Sequence, residues 1–297
     1  MSGTEQDEDQ RQLLHLTATL GEPGSGRRRY AAAMHFNRRG LMSDEALEVY
    51  RICSARDGED PGALLRTRGL QDEVPAFDRL GGAWAIRNLI AEVGHYLAGL
   101  DGPGLAEVRQ GLARWGGGVP LVKPGPTNGI MDRWLDAALG TLSSEVPGLA
   151  AAIAAASPHL DWIAYDIYDP RQIGADFLRG HAFASLVGEA APVRADDWDM
   201  GLFLIAPHVL YRDHRHKAPE LYVPLTGPHG WRFGVDRPLT ILPAHRPIWM
   251  EPFQPHLTKV GPGPFLCLFV WTRDVNDPAE VLAASDWPAL EALRIGA

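Results

Sequence analysis

Two histidines, two carboxylates and two phenols stand within twelve residues: Tyr211-Arg-Asp213-His214-Arg-His216-Lys-Ala-Pro-Glu220-Leu-Tyr222, with Gly227 closing the stretch. Side chains of an extended chain alternate between faces, so His214 and His216 share one face. Glu220 and Tyr222 share a face on the next extended run once Lys217 to Pro219 form a turn. Imidazole together with carboxylate suits a borderline divalent transition metal: zinc, iron(II), manganese, cobalt or nickel. The expected cofactor is one such ion.

The elements that must hold this stretch differ between the two halves of the chain. Residues 1–28 are charged or Gly/Ser-rich and are expected to be disordered. Residues 29–175 read as helices that pack on the C-terminal half. Ser43-Asp-Glu opens one helix with a capping residue and early acids, and Trp84, Ile86, Leu89, Ile90, Val93 and Leu97 form an apolar stripe at helical spacing. Residues 176–297 change grammar. Short extended runs such as 201–206, 220–225, 231–235, 239–242, 256–260 and 265–271 are separated by Gly/Pro turns, the pattern of an antiparallel sandwich or barrel. The fold class is therefore α+β, a helical region followed by a β-barrel that carries every residue of the metal stretch.

Bulk composition narrows the partners. The chain has 297 residues, a net charge of −9, 45% hydrophobic and 22% charged residues, so a nucleic-acid partner is not expected. Cys53 and Cys267 lie far apart, and Cys267 sits in an apolar run, so no disulfide framework is indicated. The acidic N-terminus is unlike a signal peptide and no apolar run approaches a membrane span, which makes a cytoplasmic protein with no membrane partner the expectation. A small molecule is the expected partner, and the helical half is available to form a homodimer interface.

His214-x-His216-x-x-x-Glu220, followed after six residues by Gly227, resembles the first metal motif of the cupin fold, a jelly-roll or double-stranded β-helix barrel. That resemblance implies one more ligand from a later strand pair, for which His256 is the best placed. The usual second motif has a glycine shortly before its histidine and an asparagine four residues after it. Here those positions hold Phe253 and Val260, and His208 replaces the first motif's leading glycine. The fuller string Tyr-x-x-His-x-His-x-x-x-Glu-x-Tyr, behind a helical region, resembles the cupin-type dimethylsulfoniopropionate (DMSP) lyases. The resemblance implies a metal-dependent carbon–sulfur lyase that eliminates dimethyl sulfide and leaves acrylate. It also implies His216, Glu220 and His256 as metal ligands, with His214 and Tyr222 as neighbours or further ligands, and a tyrosine base, Tyr222 or Tyr211.

Elementary chemistry is consistent with that implication. The proton to be removed lies next to a carboxylate, and a metal bound to the carboxylate offsets the developing charge. A phenol with pKa near 10 needs a nearby dication to become an efficient base. Tyr222 ranks first because it shares a face with Glu220; Tyr211, three residues before His214, needs a bulge at Arg212-Asp213 to turn inward. Trp231, Trp249, Trp271 and Phe253 are candidates to face a sulfonium cation, and Lys259 or Arg273 to meet the substrate carboxylate. Two other readings share the metal set: an iron(II) dioxygenase of cupin fold, and a non-catalytic cupin that binds a small acid.

Overall fold

The computed structural model describes residues 3–76, 80–122, 128–165 and 168–296. The chain divides into two compact units, Met1–Arg87 with Gly117–Val122, and Asn88–Gly116 with Lys123–Ala297. The expected boundary at residue 175 is thus displaced into a helix, and the region 29–175 is not a single body.

The first unit contains α1 (Gly3–Leu16), α2 (Ser25–Arg38), α3 (Asp44–Cys53), α4 (Pro61–Arg68) and the start of α5 (Leu80–Ala98). Residues 1–28, expected to be disordered, contribute a helix instead. Leu13 and Leu16 of α1 are buried in one apolar cluster with Ala33, Phe36 and Val49, and buried Asp9 accepts a hydrogen bond from Trp84 Nε1 at 2.7 Å. The average polarity of the segment conceals two leucines three residues apart, which is enough to dock one helical face. At α3, Ser43 caps as its type dictates, its hydroxyl accepting from Ala46 N at 3.1 Å.

The second unit holds the rest of α5, then α6 (Leu105–Trp115), α7 (Gly129–Ser143), α8 (Pro147–Ala156), α9 (Pro170–Ile173) and α10 (Ala175–Arg179). Eleven strands come next in the chain: β1 (His181–Gly188), β2 (Val193–Arg194), β3 (Asp199–Ile205), β4 (Leu210–Arg215), β5 (Glu220–Pro224), β6 (His229–Phe233), β7 (Thr240–Leu242), β8 (Ile248–Met250), β9 (His256–Lys259), β10 (Phe265–Trp271) and β11 (Glu280–Val281). Helix α11 (Trp287–Ala292) ends the unit. The strands build two sheets, ordered β2-β1-β3-β10-β5-β8 and β11-β4-β9-β6-β7, whose pairings are antiparallel apart from β1 with β2. This is the expected cupin barrel behind a helical region.

The two sheets differ because their sequences do. β3 (DMGLFLI) and β10 (FLCLFVW) are continuous apolar runs, which require cover on both faces. Alternate residues of this sheet face the barrel interior, and α7 lies against β1, β3 and β10 on the outside. β4 (LYRDHR) and β6 (HGWRF) mix charge with aromatic residues. Their charges turn away from the interior, where buried Asp213 pairs with buried Arg232 and also accepts from Trp287 Nε1 at 2.8 Å. Asp213 therefore belongs to the outer face and leaves Glu220 as the inward carboxylate of the motif. Asp213→Ala is expected to lower stability by about 3 kcal/mol, since it strands a buried guanidinium that keeps only Asp286 as a partner. Urea unfolding measures this, and an unchanged midpoint would contradict it.

No helix among the described residues is long and apolar enough to cross a membrane.

Candidate active site

The inward row of the larger sheet sets the site. Glu220 of β5 stands opposite Trp271 of β10, and Trp271 stands opposite Asp199 of β3. One step deeper the corresponding row is Tyr222, Phe269 and Gly201. Gly201 is small for a reason: a Cβ there would lie 2.8 Å from Cε1 of Phe269 and 2.3 Å from the Ala184 carbonyl. Gly227 likewise accommodates a passing backbone, with Ala244 N 2.6 Å from where its Cβ would be. Glu220 and Tyr222 share a face, as alternation requires.

The facing sheet supplies the imidazoles. His214 of β4 is directly opposite His256 of β9. The register between β4 and β9 slips between Tyr211 and His214, which is the bulge needed to turn Tyr211 inward. A column of stacked rings then fixes both residues. His181 lies on Phe177 at 4.1 Å, Phe177 on Tyr211 at 4.0 Å, and Tyr211 on His214 at 3.8 Å between centroids. The Tyr211 hydroxyl is hydrogen-bonded to that of Tyr168 at 2.8 Å.

His214, His216 and His256 converge, with one nitrogen from each lying within 4.8 Å of the others. The Nδ1 atoms of His214, His216 and His256 meet the carbonyls of Arg212, Ala218 and Gln254 at 2.8, 2.8 and 2.9 Å. A carbonyl can only accept, so each Nδ1 carries the proton and each neutral ring points a lone pair from Nε2 into the cluster. The Nε2 atoms of His214 and His256 are buried without a hydrogen-bond partner. His216 Nε2 lies 2.9 Å, and His256 Nε2 3.8 Å, from Glu220 Oε2. Lone pairs facing a carboxylate at that range call for a cation between them, and the donor set fits a divalent transition metal. Burial, reinforced by the neighbouring His256 and His216, holds His214 well below the usual histidine range. Burial likewise brings His256 down to about 3, with His216 adding to the effect.

Glu220 lines a cavity of about 310 Å³, and two other lining residues, Tyr211 and Trp271, stack on His214 and His216. Tyr211, Tyr222, Trp271, Phe177, Phe183, Phe203 and Phe269 line it, with Tyr165 and Tyr168 from the segment before α9 and Val275–Ala279 after β10. Burial, reinforced by Tyr168 and Tyr222, pushes the Tyr211 phenol well above 10; burial and Glu220 do the same to Tyr222.

The aromatic and cationic candidates separate by strand parity. Trp271 lines the cavity and stacks on His216 at 4.5 Å. Trp231 faces inward but is fully buried beneath Tyr222, at 5.4 Å, and supports the pocket without lining it. Trp249 lies between inward Ile248 and Met250 and so points outward, its Nε1 donating to Glu251 at 2.9 Å. Lys259 is three residues from His256, an odd offset that turns it outward; its ammonium donates to the carbonyls of His208 at 2.5 Å and Glu291 at 3.1 Å. Trp249 and Lys259 are therefore withdrawn from the substrate-contact set. Phe253 is exposed with φ 59°, and Arg273 pairs with Glu107 at 2.7 Å.

The sequence reading missed Tyr165, Tyr168, Asp199, Phe183, Phe203 and Phe269. Phe203 and Phe269 could have been found by alternation with their neighbours. Asp199 carried a signal as well: a lone acid opens an otherwise apolar strand. Burial pushes its carboxyl up to about 7, against hydrogen bonds from the Ser185 hydroxyl and Met200 N–H.

Two further buried histidines underlie the barrel. His181 accepts from Tyr165 N at 2.8 Å, and His229 accepts from Gly261 N at 3.1 Å. Burial lowers both to about 4. With folded values below the ordinary 6.5, the unfolded chain binds the extra protons, so this stability is present above about pH 6.5 and is lost as pH falls toward 4. The loss is expected to reach up to about 3 kcal/mol per histidine. Urea midpoints of metal-free protein at pH 7 and pH 5 test it, and equal midpoints would contradict it.

A family model described as dimethylsulfoniopropionate lyase matches residues 123–267, a range that includes Tyr211, His214, His216, Glu220, Tyr222 and His256. The dimethylsulfoniopropionate lyase DddQ of Ruegeria pomeroyi is 27% identical over 109 residues, 37% of this chain and 54% of that relative. The chain thus matches about half the length of that curated relative. A structure solved with the DMSP lyases RdDddP and RnDddQII covers 68% of this chain and 100% of its own, with TM-score 0.54 and 20% identity, and shows the shared fold. DddQ from Ruegeria pomeroyi DSS-3 superposes over 68% of this chain and 98% of its own, with TM-score 0.49 and 22% identity. The resemblance first read from Tyr211 to Tyr222 therefore extends across residues 123–267, the stretch that is similar to the dimethylsulfoniopropionate lyase family.

Proposed function

We propose that this protein is a metal-dependent carbon–sulfur lyase that eliminates dimethyl sulfide from DMSP or a closely related sulfonium acid. The observation that carries the reading is the convergence of three buried imidazoles and Glu220 beside two inward phenols, at a small cavity walled by aromatic rings. His214, His216, Glu220 and His256 would hold the ion, whether zinc, iron, manganese, cobalt or nickel, and when bound it supplies a Lewis acid that offsets charge developing on the substrate carboxylate.

The remaining work falls to the chain. Tyr222, as phenolate, takes the proton from the carbon next to the carboxylate. The electron pair of that C–H bond forms the double bond of acrylate. The C–S bond breaks with its pair leaving on sulfur, which departs as neutral dimethyl sulfide. Trp271 and the phenylalanines offer ring faces to the sulfonium and exclude water from it. Tyr211, held by Tyr168 and its ring stack, positions His214 and closes one wall.

Purified protein supplied in turn with each of the five metals is expected to release dimethyl sulfide from DMSP, read by headspace gas chromatography. Absence of the gas with every metal would sink the substrate assignment.

A further inference from the structure

The proposed chemistry leaves two cavity-lining carboxylates unused, and of these Asp277 is paired with Lys217. Asp199 lies two strands from Glu220 in the same inward row, with Trp271 between them. Adjacent strands are about 4.8 Å apart, which puts the two backbones about 10 Å from each other across the row. The Ser185 hydroxyl and Met200 N–H bond the carboxyl, while Oδ1 is buried with no hydrogen-bond partner. No Lys, Arg or His pairs with it among the described residues, whereas the buried acids Asp213 and Asp9 are paired, with Arg232 and with Arg39 and His35. A carboxyl group kept without a cation in an aromatic-walled cavity has the chemistry of a counter-ion for a cationic ligand group, whose charge favours the ionised form.

The spacing matches the substrate class. In a 3-onio-propanoate the carboxyl carbon and the onium atom are roughly 4 Å apart, from bond lengths near 1.5 Å. With the substrate carboxylate at the Glu220 end of the row, the cation comes to rest over Trp271, and its methyl groups extend toward Asp199. We propose that Asp199 is a specificity-determining residue that selects onium acids over neutral acids of the same shape. This rests on the lyase reading and adds the group that recognises the positive end of the substrate.

Two unreactive ligands that differ only in charge test it: 3-(trimethylammonio)propanoate and its neutral isostere 4,4-dimethylpentanoate, titrated calorimetrically into zinc-loaded protein. The parent protein is expected to prefer the cation, and Asp199→Asn to reduce that preference by about tenfold while binding the neutral acid as before. Asp199→Glu, which keeps the charge, retains a preference for the cation. An unchanged preference in Asp199→Asn overturns the assignment, with the lyase reading left standing. Loss of the neutral acid in both variants overturns it as well, because the residue would then be structural. Binding of neither ligand by the parent overturns the underlying reading of the pocket, and the proposal falls with it.

Discussion

Tyr222→Phe is expected to lower kcat for elimination by about 10² to 10⁴ while metal content stays at the parent level. Burial and the adjoining Glu220 carboxylate both raise the Tyr222 phenol well above 10 in the metal-free protein. A phenol so placed cannot act as base at neutral pH unless a nearby dication stabilises the phenolate. A side chain that the site makes hard to ionise without metal is therefore one whose ionisation responds directly to metal binding. Tyr211 is placed differently. Its hydroxyl is bonded to Tyr168 and its ring is clamped between Phe177 and His214. Tyr211→Phe removes one hydrogen bond from that clamp and is expected to reduce kcat no more than about tenfold, the effect of a net 0.5–1.5 kcal/mol. Steady-state kinetics with elemental analysis on both variants decides the matter, and a reversed order would move the base to Tyr211. The loss in Tyr222→Phe corresponds to about 3–5 kcal/mol of transition-state stabilisation, more than a merely packed ring edge contributes.

Strand parity explains both what the sequence disclosed and what it hid. Glu220 and Tyr222, two apart on β5, had to face the same way, and they do. The same rule, applied from His256, excludes Lys259 at an odd offset; applied within Ile248-Trp249-Met250 it excludes Trp249 once the apolar partners are known to point inward. Chemical type had placed both residues in the site, and geometry removes them. Tyr211 required an exception to parity, and the register slip between β4 and β9 provides it. Other residues lay outside any local pattern. Tyr165 and Tyr168 reach the cavity from a segment before the first strand, and only the tertiary fold brings them to Tyr211. Asp199 joins Glu220 through a strand order, β3-β10-β5, that no local periodicity encodes. Helix α1 was hidden for a different reason: two buried leucines outweigh an acidic composition.

His216→Ala is expected to weaken metal binding by more than about a hundredfold, because loss of even an outer hydrogen-bond partner of a metal ligand typically costs about 10–100-fold. His216 joins the imidazole cluster to Glu220 and Trp271. Its Nε2 meets Glu220, its ring neighbours those of His214 and His256, and Trp271 stacks on its face. Its Nδ1 is anchored by the Ala218 carbonyl in the turn that joins β4 to β5, so the backbone presets where the lone pair points. The parent site needs little rearrangement to receive an ion, since the Nε2 atoms of His214 and His256 already stand buried and unpartnered, and burial keeps both rings neutral at pH 7. Parent protein should therefore gain thermal stability on addition of zinc, by the ordinary linkage between ligand binding and folding. His216→Ala should lose most of that gain while its metal-free unfolding temperature changes little. His214, His256 and Glu220 are the weaker remainder of the set. Elemental analysis after dialysis and thermal shift with and without zinc read the two effects separately. Full metal occupancy in His216→Ala would remove this residue from the ligand set and with it the argument that three convergent lone pairs make the site.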